Sequence, residues 1–103
     1  MGDIGWTDTE DRICCKAVLN EYILKENSAD INNLIDEIKR NSAFDKRSEG
    51  AIRMRLQNIK SFLDNIGVKN TIPLKPLSNY ADQTKRIMTE ELQKAGIEIS
   101  GVL

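Results

Sequence analysis

The sequence has no histidine and only two cysteines in 103 residues. Without histidine there is no imidazole general base, no Ser-His triad and none of the nuclease motifs built on histidine. Cys14 and Cys15 are adjacent, and no further thiol or imidazole stands elsewhere to complete a zinc ligand set. Successive helical residues point about 100° apart, so a bridge between these neighbours would be strained. They read as reduced, buried thiols on a helix. The six glycines are scattered and match neither a phosphate-binding loop nor a dinucleotide fingerprint. The five aromatics, Trp6, Tyr22, Phe44, Phe62 and Tyr80, are not interleaved with basic residues, which argues against a stacking platform for single strands. No apolar run approaches the roughly 18 residues of a membrane span. The opening Met1-Gly2-Asp3-Ile4-Gly5-Trp6 has neither the basic region nor the apolar core of a secretory signal. These absences lead to the expectation of a cytoplasmic chain that is not an enzyme, carries no metal or cofactor and has no membrane partner.

What is present suits one domain over residues 1–103, long enough to bury a single core without staples. Net charge is −1, but its distribution is uneven. Residues 1–45 hold five basic and ten acidic side chains. Residues 46–60 hold Lys46, Arg47, Arg53, Arg55 and Lys60 against Glu49 alone. The remainder is balanced, so the positive charge is concentrated in one short stretch.

Hydrophobic spacing predicts a mainly α fold of three to four helices. Thr7 and Glu10 form a capping box ahead of a first helix over about 8–25, with Asp8, Glu10 and Asp11 suiting its positive end. Trp6, just before that cap, reads as a core staple, and Tyr80 likewise as core. Asn27-Ser28 offers the next cap, and Ile31, Leu34, Ile35 and Ile38 carry a second helix over about 29–40. A polar connection over 41–47 has one apolar anchor, Phe44. Ser48 caps a third helix over about 49–66, in which Ile52, Leu56, Ile59, Leu63 and Ile66 lie within about 40° of one line. Gly67 stands where a left-handed C-cap belongs. Pro73 and Pro76 make residues 68–77 an extended crossover. Ser78 is the expected cap of a fourth helix that ends at Gly96. The alternating tail Ile97-Glu98-Ile99-Ser100 offers the crossover a partner in a small two-stranded wing.

Helices two and three, joined by a turn and followed by positive charge, have the arrangement of a helix-turn-helix reader of double-stranded DNA. The connection is longer than in the tight form, as in trihelical and winged-helix relatives. Opposite the apolar stripe of helix three lie Gly50, Arg53, Met54, Gln57 and Lys60. Arginine reads guanine O6 and N7, and glutamine reads adenine N6 and N7. Gly50 allows close approach of the backbone to a phosphate at the helix start. Lys46, Arg47 and Ser48 stand just ahead of it, placed for the DNA backbone. Met54 gives an apolar contact that a solvated face does not need. The competing readings of this face are a plain solvated helix surface, since Arg, Gln and Lys are good helix formers, and a protein-docking face.

The opening Trp6-Thr7-x-x-Glu10 before a long helix looks like the start of Myb/SANT-type trihelical domains. The block from Arg47 to Ile59 is more specific. Its core, Gly50 to Asn58, follows a pattern close to Gly-(Ala/Val)-(Ile/Tyr)-x-Met-(Lys/Arg)-Leu-x-Asn. It resembles the small N-terminal domain that precedes the catalytic domain in many HNH restriction endonucleases, among them McrA-like enzymes that attack modified DNA. Pro76-Leu77-Ser78-Asn79-Tyr80 with Gln83-Thr84 recurs in one branch, so the resemblance runs roughly from Trp6 to Met88. It implies a restriction-associated, DNA-sensing domain, in some members a reader of modified cytosine, whose partner is a fused or separate nuclease. By position, Gly50, Met54, Arg55 and Asn58 are its pattern residues, with Asn58 at the margin of the buried face. The 103 residues hold no histidine from which to build an HNH nuclease, so cleavage is not implied for this chain. The chain is expected to be either an excised N-terminal domain or a freestanding relative.

The alternative is a small protein-interaction module, an adaptor or a phage-type inhibitor of host defence, working through the acidic first half. Neither reading fixes the oligomeric state.

Overall fold

The computed structural model describes residues 5–25 and 30–99. Helix α1 spans Asp8–Val18. Its capping box closes as expected: Thr7 Oγ1 accepts from Glu10 N at 3.1 Å, and Glu10 Oε1 accepts from Thr7 N at 2.9 Å. The helix runs on into a π-helical turn, Leu19–Ile23, closed by Leu24 N donating to Leu19 O at 2.9 Å. The Tyr22 carbonyl then accepts from Thr71 N at 2.9 Å, which ties the end of this helix to the crossover.

Helix α2 spans Ile31–Arg40. The expected cap at Asn27-Ser28 lies outside the described residues; Asp30 performs the task, its Oδ1 accepting from Asn32 N and Asn33 N at 2.8 and 3.2 Å. A 3-10 turn, Ser42–Phe44, follows and buries Phe44 completely. Helix α3 spans Glu49–Asn65, with Ser48 Oγ accepting from Ala51 N at 3.0 Å. Its stripe Ile52, Leu56, Ile59, Leu63 and Ile66 is buried. Gly67 takes φ 74° in the left-handed region that closes a helix.

Two expectations are corrected. Helix α4 spans Asp82–Lys94, with Ala81 at its N-cap and no side-chain cap, so Ser78 does not start it. The reason is tertiary: Leu77 O accepts from Ser61 Oγ at 2.6 Å and Ala81 N donates to Asn58 Oδ1 at 3.2 Å, which ties both ends of the segment to α3, and that segment stays non-helical. The wing is also missing, for no strand forms among the described residues. The backbone groups of the crossover bond to side chains of α3 instead, and Ile97 and Ile99 pack on the core as single anchors. Ser100, the end of the expected strand, lies outside the described residues.

The fold is therefore mainly helical. α1 lies chiefly against α4, α2 lies against α3, and α3 also touches α1 and α4. The core joins Val18, Tyr22, Ile35, Phe44, Leu56, Phe62, Met88 and Leu92. Cys14 and Cys15 are fully buried within it, and both are free thiols. Burial, reinforced by nearby Asp11, pushes both thiols above their ordinary range. No described helix is long and apolar enough to cross a membrane.

Candidate nucleic-acid interface

The outward face of α3 divides into two parts. From Gln57 onward the crossover lies across it. Lys60 Nζ donates to Asn70 Oδ1 at 3.2 Å, Gln57 Nε2 to Lys75 O at 3.2 Å and Ser61 Oγ to Leu77 O. Asn65 Nδ2 then donates to Tyr80 Oη at 3.0 Å. Read in order, these bonds carry the chain from one side of α3 over its outer surface to the other. Tyr80 is held there edge-on to Phe62, with ring centroids 5.2 Å apart.

The start of α3 is open. Glu49, Gly50 and Met54 are exposed, and Met54 keeps 57% of its surface. Lys46 is exposed just ahead of it. Arg53 reaches back to α2, where its Nη2 donates to Asn32 Oδ1 at 2.6 Å. A Cβ added at Gly50 would meet only Ser48 Oγ, at 3.8 Å, so packing within the chain does not call for glycine there. Ser48 is occupied as the helix cap.

The five cations of residues 46–60 are not equivalent. Arg47 is drawn inward: Nε donates to Glu10 Oε2 at 2.7 Å, and Nη2 donates to Glu10 Oε1 and to Gly5 O at 2.8 and 3.0 Å. That bond from Arg47 holds the Glu10 carboxyl below its ordinary range, against the opposing effect of burial. Arg55 is nine-tenths buried, beside the fully buried Asp11. Lys60 lies 3.3 Å from Asp64. Lys46 and Arg53 have no carboxylate within ion-pair distance among the described residues.

Beneath the open end sits a polar hub whose members are far apart in the sequence. Both guanidiniums lie against the Trp6 ring, with Arg47 Cζ 4.7 Å and Arg55 Cζ 4.5 Å from its centroid. Phe44 meets the same ring edge-on at 5.9 Å. Asp11 accepts from Gln83 Nε2 at 2.7 Å and from Thr84 Oγ1 at 3.3 Å, while Thr84 Oγ1 accepts from Arg55 Nη1 at 2.7 Å. Gln83 Nε2 also donates to the Trp6 carbonyl at 2.7 Å. The signals for this hub were all in the sequence, as Trp6, Arg55 and the Gln83-Thr84 pair, but at separations that no helical wheel connects.

Of the eight residues expected at a DNA surface, Lys46, Gly50, Arg53 and Met54 therefore cluster at the open start of α3. Ser48 caps the helix, Arg47 joins the hub, and Gln57 and Lys60 brace the crossover. No family model matches the chain, and no curated protein or solved structure matches it either.

Proposed function

We propose that this chain is a double-stranded DNA-binding module that docks the start of α3 and the turn before it against the duplex. The reading rests chiefly on the open end of that helix. There an exposed methionine stands beside a glycine that the fold does not require, flanked by two cations without carboxylate partners. A face that served only solubility would need neither the methionine nor the glycine. A contact surface uses both, the first for apolar area and the second for close approach of the backbone. Lys46 contacts the phosphates, and Arg53 and Met54 reach toward base edges, in the manner of a helix-turn-helix whose second helix leads with its N-terminal residues. Recognition of modified cytosine, and a nuclease as fused or separate partner, belong to this reading through the resemblance of the Gly50 to Asn58 block.

Of the five cations of residues 46–60, only Lys46 and Arg53 lack a carboxylate partner among the described residues, so electrostatic binding should be modest. Each neutralised phosphate contributes about −0.9 to the slope of log K against log salt, which sets an expected slope near −2. Fluorescence anisotropy of labelled duplexes bearing cytosine, 5-methylcytosine or 5-hydroxymethylcytosine, across a salt series, tests both points. Lys46→Glu with Arg53→Glu should abolish binding while the helical circular-dichroism spectrum persists. Absence of binding to every duplex at low salt would refute the proposal and favour a protein-interaction module.

A further inference from the structure

Arg55 is held from three directions, yet two of its three nitrogens make no hydrogen bond among the described residues. Its Nη1 is bonded to Thr84, and its guanidinium lies over Trp6. Its Nε is 3.1 Å from Asp11 Oδ1, near enough for ion pairing but misaligned, so that this N–H makes no hydrogen bond. Nη2 has no hydrogen-bond partner among the described residues and is not sealed from solvent. A buried arginine normally spends all five donors, so an idle, immobilised Nη2 is an unfilled position.

Arg55 lines a shallow depression of about 220 Å³ together with Trp6, Ala51, Met54 and Asn58. Asn58 accepts from Ala81 N with its Oδ1 and donates one Nδ2 proton to Met54 O at 3.1 Å, which leaves its second proton unspent. The depression thus offers hydrogen-bond donors from two side chains, Arg55 and Asn58, and walls of indole, thioether and methyl. The charges beneath it balance, Glu10 and Asp11 against Arg47 and Arg55. A phosphate or carboxylate would find little net field and three apolar walls. An uncharged flat group with two neighbouring acceptors on one edge fits both the donors and the walls.

We infer that the depression receives the edge of a guanine, whose O6 and N7 are adjacent acceptors exposed in the major groove. This rests on the DNA reading above and deepens it. The base-reading residues become Arg55 and Asn58 on the Trp6 side of α3, with Met54 shared between the depression and the open helix start. Arg55 needs no ordering on binding, because the hub has already fixed it.

Trp6 is the chain's one tryptophan and lines the depression, so its emission reports occupancy directly. The test titrates the full chain with a guanine-containing duplex and with the same duplex carrying 7-deazaguanine, which lacks N7 but still pairs. Anisotropy of labelled DNA and Trp6 fluorescence are read together. The expected result is a change in Trp6 emission with the guanine duplex and roughly tenfold weaker binding of the 7-deazaguanine duplex, the scale of one lost base contact. Equal affinity for the two duplexes, with or without a change in Trp6 emission, would overturn the assignment of guanine and leave DNA binding standing. Binding of neither duplex would overturn both readings together.

Discussion

The two halves of α3 carry similar outward residues and live in different surroundings. Gly50 and Met54 in the first half are exposed and Arg53 reaches back only to α2, whereas Gln57, Lys60 and Ser61 in the second half hold the crossover. On a helical wheel these residues form one polar face. In the fold that face is part open surface and part interior seam, because the segment with both prolines is laid across it. The position of a polar residue on a wheel tells which residues avoid the helix's own core, and says nothing of what a distant segment places over them.

The contrast is broken most forcefully through the hub beneath the open half. Asp11 has no exposed surface and faces Arg55, Gln83 and Thr84. Asp11→Ala leaves a buried guanidinium without its counter-charge and removes one of the two acceptors of the Gln83 amide, a loss on the scale of about 3–5 kcal/mol. Urea unfolding followed by circular dichroism should show the full drop. Lys46→Ala, on the exposed turn before α3, should change stability by no more than about 0.5 kcal/mol in the same measurement. Similar losses from the two substitutions would mean that the hub does not hold α1, α3 and α4 together.

A smaller effect separates the two arginines of the hub from the cations of the open end. The Arg47 guanidinium holds Glu10 below its ordinary value of 4.5, so the folded carboxyl binds its proton less readily than the unfolded one. The stabilisation from this pair is fully present above about that value and is lost as pH falls through the lower, folded value. Glu10→Gln should therefore lower stability at neutral pH and flatten its decline below about pH 4.5. Melting temperatures of the two proteins from pH 7 down to pH 3 check this, and parallel acid limbs would exclude Glu10 as a contributor. Arg53, bonded to the neutral Asn32, should leave the acid limb unaltered when replaced by alanine.

Much of the helical frame was legible in the sequence, because it rests on local chemistry. The capping box at Thr7 and Glu10, the Ser48 cap, the stripe from Ile52 to Ile66 and the closing Gly67 are all decided within a few residues. The later start of α4 was not legible, since Ser78 is a good cap by type and is overruled by bonds to Ser61 and Asn58 on another helix. The wing failed for the same reason, as the alternation in the tail was real but its expected partner was engaged elsewhere. At the candidate site, charge density picked out residues 46–60 without sorting their cations. Arg47 and Arg55 read as cations beside Arg53, yet their roles are set by Glu10, Asp11 and Trp6, more than 35 positions away in sequence.

The smallest expected effect is also the one that sharpens the contrast most, because stability and binding should move in opposite directions. Gly50 lies in the first turn of α3 with helical backbone, and a methyl group there would touch only the Ser48 hydroxyl at 3.8 Å. Gly50→Ala removes backbone freedom from the unfolded chain without a clash, so it should stabilise the fold by about 0.5–1 kcal/mol. If the open end of α3 meets a duplex backbone closely, the same methyl group should weaken DNA binding. A control on the covered half, Gln57→Ala, gives up the bond to Lys75 O, so stability should fall slightly. Paired urea melts and anisotropy titrations of the two variants decide the matter. A Gly50→Ala protein that is more stable and binds DNA as before would show that the glycine is not kept for contact. The open half of α3 would then be an exposed helix end like any other.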